Sequence, residues 1–99
     1  METQVEQEPQ DRARIVVTGR VQGVGFRWTI KTAADAAGVV GTARNLPDGG
    51  VEICAEAEQE TLTAFVGVVF RGARAGRVDD MLVVWTPGEG DWTDFRIIS

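Results

Sequence analysis

"GRVQGVGFRW", residues 19–28, is the stretch on which the reading of this chain turns. Upstream of it, "ARIVVTG" (residues 13–19) alternates and is rich in β-branched residues, the pattern of a strand that ends at Gly19. Downstream, Phe26, Ile30, Ala33 or Ala34, and Ala37 recur at helical spacing, and Gly38 follows as a C-terminal stop. The quoted stretch is therefore a strand-to-helix turn, and it brings Gly23, Gly25 and Arg27 to the first turn of a helix.

Working outward, "VVGTARN" (39–45) and "VEICAE" (51–56) flank "NLPDGG", whose Pro and Asp-Gly are strong turn chemistry. The second arm alternates, with Val51, Ile53 and Ala55 expected to be buried against Glu52, Cys54 and Glu56 on the solvent side. "QETLTAFVGVVFRGA" (59–73) places Leu62, Phe65, Val66 and Val69 at helical spacing, with Gly72 able to close the helix in a left-handed conformation. Gly67 inside it should weaken the helix by about 1 kcal/mol relative to alanine. "RVDDMLVVW" (77–85) and "DFRII" (94–98) supply two more short strands. The order β-α-β-β-α-β with an added C-terminal strand specifies an α+β protein, a ferredoxin-like sandwich whose mainly antiparallel sheet carries both helices on one face.

Composition bounds the function. Ninety-nine residues, 43% hydrophobic and 25% charged, suit one domain that buries roughly 60 to 65% of its unfolded surface. No apolar run approaches the roughly 20 residues needed to cross a bilayer, so a soluble protein with no membrane partner is expected. Residues 1–11 are acidic and polar and lack the pattern of a secretory signal; they read as a disordered lead-in to a folded domain spanning 12–99. Cys54 is the only cysteine and there is no histidine. An intramolecular disulfide, a zinc site of the usual type and a Ser-His-Asp triad are thereby excluded, and a reducing cytoplasm fits best.

The net charge of −5 hides an asymmetry. Arg12, Arg14, Arg20, Arg27, Lys31 and Arg44 face a single acid, Asp35, between residues 12 and 45, whereas the remainder is acidic. A local basic region in an acidic protein suits a small anionic ligand better than a nucleic acid, although such clusters also arise as solvated surface.

A helix start leaves backbone N–H groups without intrahelical acceptors, and the helix dipole adds positive potential there. Gly23 and Gly25 can take the positive φ angles that turn successive N–H groups inward into a concave nest of phosphate size. Arg27 could then present a planar pair of donors to two phosphoryl oxygens. On spacing alone, the same glycines serve equally well as a tight turn beside a solvated arginine.

"GRVQGVGFR" resembles the signature of the acylphosphatase family, and "RNLPDGGVE" falls where that family has its second signature. "GARAGRV" and the closing "FRI" resemble later landmarks, so the resemblance runs from about Arg12 to Ile98. It departs at Ala57, where the family often has glycine, at Ala73, where proline is frequent, and in "TAR" before Asn45, which lacks the usual aromatic. These positions concern capping, turn stiffness and packing rather than chemistry.

The resemblance implies hydrolysis of acyl phosphates, which are carboxyl-phosphate anhydrides, to a carboxylate and inorganic phosphate. It matches Arg27 and Asn45 to the family's catalytic arginine and asparagine. The phosphoryl group would be held by Arg27 and by the backbone amides of Gln22, Gly23, Val24, Gly25, Phe26 and Arg27, with Asn45 orienting the attacking water. The leaving carboxylate is already stabilised, so neither a general acid nor a metal or other cofactor is required, and phosphate or sulfate should bind as product mimics to a monomeric enzyme. Asn45 read alone is an ordinary turn-starting residue. Cys54 reads as a strand residue, Trp28, Trp85 and Trp92 as packing or surface residues, and Asp79 and Asp80 as solvated acids.

Two other functions remain open on the sequence. The same sandwich serves in RNA recognition, against which stand the absence of an aromatic in "VEICAE" and the charges of Glu52 and Glu56. A phosphate-binding accessory domain without turnover is the other.

Overall fold

The computed structural model describes residues 10–99. Five strands and two helices follow the order β1 (Gln10–Arg20), α1 (Phe26–Ala37), β2 (Val40–Asn45), β3 (Val51–Glu58), α2 (Gln59–Phe70), β4 (Arg77–Pro87) and β5 (Phe95–Ile98), with a 3₁₀ turn, Gly72–Arg74, after α2. The sheet order is β4-β1-β3-β2-β5. All pairings are antiparallel except β2 with β5, which run parallel. This is the ferredoxin-like α+β sandwich with one strand appended beside β2.

The alternation of β1 and β3 sorts their residues between two faces. Ala13, Ile15 and Val17 from β1, and Val51, Ile53, Ala55 and Ala57 from β3, are buried with Phe26, Ile30 and Ala34 from α1 and Leu62, Phe65 and Val69 from α2. Phe95 of β5 closes that core against Phe65, with ring centroids 6.1 Å apart in an edge-on arrangement. Each large apolar side chain so enclosed contributes about 1.5–3 kcal/mol.

Three expectations need correction. Gln10 and Asp11 belong to β1, where Asp11 pairs with both Ala57 and Pro87. The ladder thus extends two residues into the stretch read as a lead-in, while residues 1–9 lie outside the described part. Ala37, placed on the periodic face of α1, is exposed, whereas Ala34 is buried and Ala33 packs half-buried against the core. Glu56 sits on the face opposite the helices as the alternation requires, yet it is 2% exposed. A later segment, residues 89–92, folds over it: Glu56 accepts hydrogen bonds from the backbone N–H groups of Glu89 (2.8 Å) and Gly90 (3.0 Å) and from Arg12 Nε (2.7 Å).

The rest of that face is polar at its centre. Glu52 accepts from Arg14 Nε and Arg44 Nε, each at 2.7 Å, and neither β1 nor β3 contributes an aromatic to it. The Cys54 thiol beside them is pushed up in pKa by burial and by the Glu52 charge. Neither base stacking nor thiolate chemistry is suited by these surroundings.

The departures at Ala57 and Ala73 have different outcomes. Ala57 is core and needs no positive φ. Ala73 and Arg74 take φ of 47° and 64°, left-handed values that cost a non-glycine residue about 1 kcal/mol or more each.

Candidate active site

The site begins with a bulge. Between Thr18 and Gly19 the register of β1 on β4 shifts, and Gly19 takes φ 135° with its α-carbon against the Arg77 carbonyl, where a Cβ would collide with backbone. The chain is thereby turned out of the sheet and into residues 21–25.

Gly23 (φ 75°) and Gly25 (φ 80°) are both left-handed, and Gly25 is the N-cap of α1 without any side-chain cap. A Cβ at either position would meet nothing within 4 Å. Glycine is therefore required by backbone conformation, and the open side is left for an approaching group. Among the described residues, the N–H groups of Gly23, Val24 and Gly25 have no paired acceptor. The first turn of α1 contains no acid, so the dipole at this end is not neutralised.

The loop is tied to the β2–β3 hairpin by one side chain. Gln22 Nε2 donates to the carbonyls of Leu46 (2.9 Å) and Gly50 (2.8 Å). Opposite, Asp48 Oδ1 accepts from the Gly50 N–H at 2.9 Å and shapes the turn. Asn45, the last residue of β2, stands beside this tie.

Gly23, Gly25, Phe26, Arg27 and Asn45 line one cleft of about 190 Å³, with Val21, Trp28 and Ile97 completing its wall. Arg27 and Asn45, eighteen positions apart, are thus brought to one place. Gln22 and Val24 are not among its lining residues: the Gln22 side chain is engaged with the hairpin and the Val24 side chain packs against the core, while the Val24 backbone N–H stays without a paired acceptor. Arg27 makes no ion pair among the described residues, and its one contact, Nη1 to the Ile98 carbonyl at 3.5 Å, is at the limit of a hydrogen bond. Asn45 Oδ1 is buried and has no hydrogen-bond partner. A buried polar oxygen left unpaired costs about 1–3 kcal/mol, and this one belongs to a residue that lines the same cleft as Arg27.

Three contributors to the cleft, Val21, Trp28 and Ile97, were not assigned to it from the sequence. Ile97 arrives through the parallel pairing of β5 with β2, in which it opposes Ala43. Trp28, 63% exposed, follows Arg27 on α1 and belongs to the wall through its position alone.

Together these features define a ferredoxin-like α+β sandwich whose β1–α1 turn opens on a cleft equipped for an anionic ligand. The acylphosphatase family model matches residues 13–97. The chain is 46% identical over 86 residues to an acylphosphatase of Anaeromyxobacter dehalogenans, covering 87% of this chain and 92% of that one. It is 40% identical over 81 residues to an acylphosphatase of Caldanaerobacter subterraneus subsp. tengcongensis, covering 82% and 90%. The crystal structure of acylphosphatase from Bacillus subtilis superposes with a TM-score of 0.85 at 37% identity, covering 90% of this chain and 99% of that one. The chain belongs to the acylphosphatase family, and its activity is the hydrolysis of acyl phosphates.

Proposed function

We propose that the cleft is the catalytic centre, with Arg27 and the backbone N–H groups of residues 22–27 binding the phosphoryl group and Asn45 orienting the attacking water. The observation that carries this reading is the buried, unpartnered Asn45 Oδ1 in the cleft that Arg27 also lines. It is an acceptor awaiting a donor, and water supplies one.

The water oxygen attacks phosphorus, the bond from phosphorus to the acyl oxygen breaks, and the acyl group leaves as a carboxylate. An amide is too weak a base to take the proton, which passes to a phosphoryl oxygen of the substrate. Arg27 and the amides stabilise the phosphoryl oxygens as charge shifts, so positioning and electrostatics carry the rate. With that compensating charge in place, the reaction runs without a metal. Every group invoked lies on one chain, so a monomer suffices for the reaction, and a lone cysteine suits the cytoplasm. No described helix is long and apolar enough to cross a membrane.

Acetyl phosphate should be hydrolysed in EDTA, and a phosphate monoester, whose alkoxide leaving group needs a general acid, should be a far poorer substrate. Inorganic phosphate should inhibit competitively and raise Tm by mass action. Equal rates on the two substrates, or abolition by EDTA, would refute the mechanism.

A further inference from the structure

Trp28 lines two cavities. On one side it walls the cleft of Arg27 and Asn45; on the other it forms one end of a groove of about 450 Å³ along α1, lined mainly by Thr29, Thr32, Ala36, Val68 and Ala73, with Arg74 as its one charged lining residue. The groove is apolar for a physical reason. Thr29 Oγ1 donates to the Phe26 carbonyl (2.9 Å) and Thr32 Oγ1 to the Trp28 carbonyl (3.0 Å), so both hydroxyls are turned to the helix backbone. Trp28, 63% exposed, offers its aromatic surface at the junction of the two cavities, where an apolar group would gain by covering it.

We propose that this groove receives the acyl group of the substrate, and that Trp28 is a specificity-determining residue selecting apolar acyl phosphates with chains of about eight carbons. The inference rests on the phosphoryl-binding role given to Arg27 above. In-line displacement sends the leaving carboxylate away from the water at Asn45. Asn45 belongs to β2, whereas Trp28 belongs to α1 and is common to the cleft and the groove, so an acyl chain leaving the cleft on the Trp28 side meets the groove. From Trp28 to Ala36 is eight helical residues, about 12 Å along the axis, comparable to an extended eight-carbon chain. Each methylene taken out of water is worth about fourfold in binding.

The experiment compares kcat/KM for octanoyl phosphate and acetyl phosphate in the full chain, in Trp28→Ala, in Trp28→Phe and in Ala36→Phe, which narrows the groove. The parent should prefer octanoyl phosphate by at least about tenfold. Trp28→Ala and Ala36→Phe should each cut that ratio by about fivefold or more, and Trp28→Phe should retain most of it. Because the ratio is taken within each variant, any loss of folded enzyme cancels. A parent that hydrolyses both substrates with a ratio near one, or a ratio that neither Trp28→Ala nor Ala36→Phe moves, overturns the groove alone. A parent inert toward both overturns the catalytic reading and this inference with it.

Discussion

Glu56 and Arg12 stand directly opposite one another on β3 and β1, and their carboxylate and guanidinium meet at 2.7 Å beneath the segment 89–92. The pair does more than join two strands. Arg12 also contacts Asp91 Oδ2 at 3.0 Å and lies 4.4 Å from the Trp92 ring centroid, while the Glu56 carboxylate holds two backbone N–H groups of the same segment. One buried charge therefore fastens the segment that follows β4 down over the sheet.

Removing that charge should loosen the clamp. Glu56→Gln takes from the Arg12 guanidinium its buried carboxylate partner, leaving Asp91 and Glu89, and weakens two charge-assisted bonds, a loss of about 2 kcal/mol and a fall in Tm of about 10 °C. Thermal unfolding followed by circular dichroism measures it. A Tm within 2 °C of the parent, about 0.4 kcal/mol, would show that the segment is held by other contacts.

The same carboxylate gives a pH dependence. Burial pushes the Glu56 carboxyl upward, but the hydrogen bonds from Glu89, Arg12 and Gly90 outweigh it and leave it below its ordinary value. A depressed folded pKa contributes stability that is fully present above the unfolded value, about 4.3, and is lost as pH falls through the folded value. Denaturant titrations at pH 7 and below pH 4 should show the parent losing more stability than Glu56→Gln over that interval. Parallel losses would remove Glu56 from the acid response.

The two candidate catalytic side chains should separate kinetically. Arg27→Gln removes a charged contact worth about 2 to 4 kcal/mol in the transition state, so phosphate affinity and kcat/KM should fall together. Asn45→Ala should collapse kcat while phosphate still raises Tm. Near-normal kcat in Asn45→Ala would return that residue to the role of turn former.

Gly25 and Gly38 make a matched pair at the two ends of α1. Both are left-handed, at φ 80° and 77°, and in both an added Cβ meets nothing within 4 Å. Alanine at either should cost about 1 kcal/mol or more in backbone strain. Only Gly25→Ala should lower activity, by tenfold or more, because only there does the methyl stand in the approach to the cleft. Equal activity in the two variants would mean that the loop is merely a turn.

Much of this arrangement was legible in the chain, and what escaped did so for identifiable reasons. The limits of α1 could be read because Phe26, Ile30 and Ala34 mark one face and Gly38 stops the helix, all within a dozen residues. The place of Arg27 on the first turn of α1 was legible for the same reason, since the turn and the helix start are local; the role proposed for it came from the family resemblance, because spacing alone suits a solvated arginine equally well. Asn45 was legible only through its family resemblance, because nothing in "NLPDGG" distinguishes a water-orienting amide from a turn former. Glu56 was assigned to the correct face and the wrong exposure: alternation along β3 reports which side a residue faces, and the segment that covers it lies more than thirty positions downstream. The ends of the sheet followed the same rule, with Gln10 and Asp11 recruited by partners as distant as Ala57 and Pro87. Trp28 and Ile97 were invisible as wall residues because their meeting depends on how β5 docks beside β2.

The sheet order places β3 between β1 and β2. The strand that launches the Arg27 loop and the strand that ends in Asn45 never touch as neighbours; a third strand, made later in the chain than either, sets the gap between them. On the proposed pairing of Arg27 with Asn45, hydrolysis is an all-or-none readout of assembly. During refolding, turnover should return only when the central three strands have zipped together, at the slow pace of long-range pairing, and a hairpin formed early from β2 and β3 would carry no trace of it.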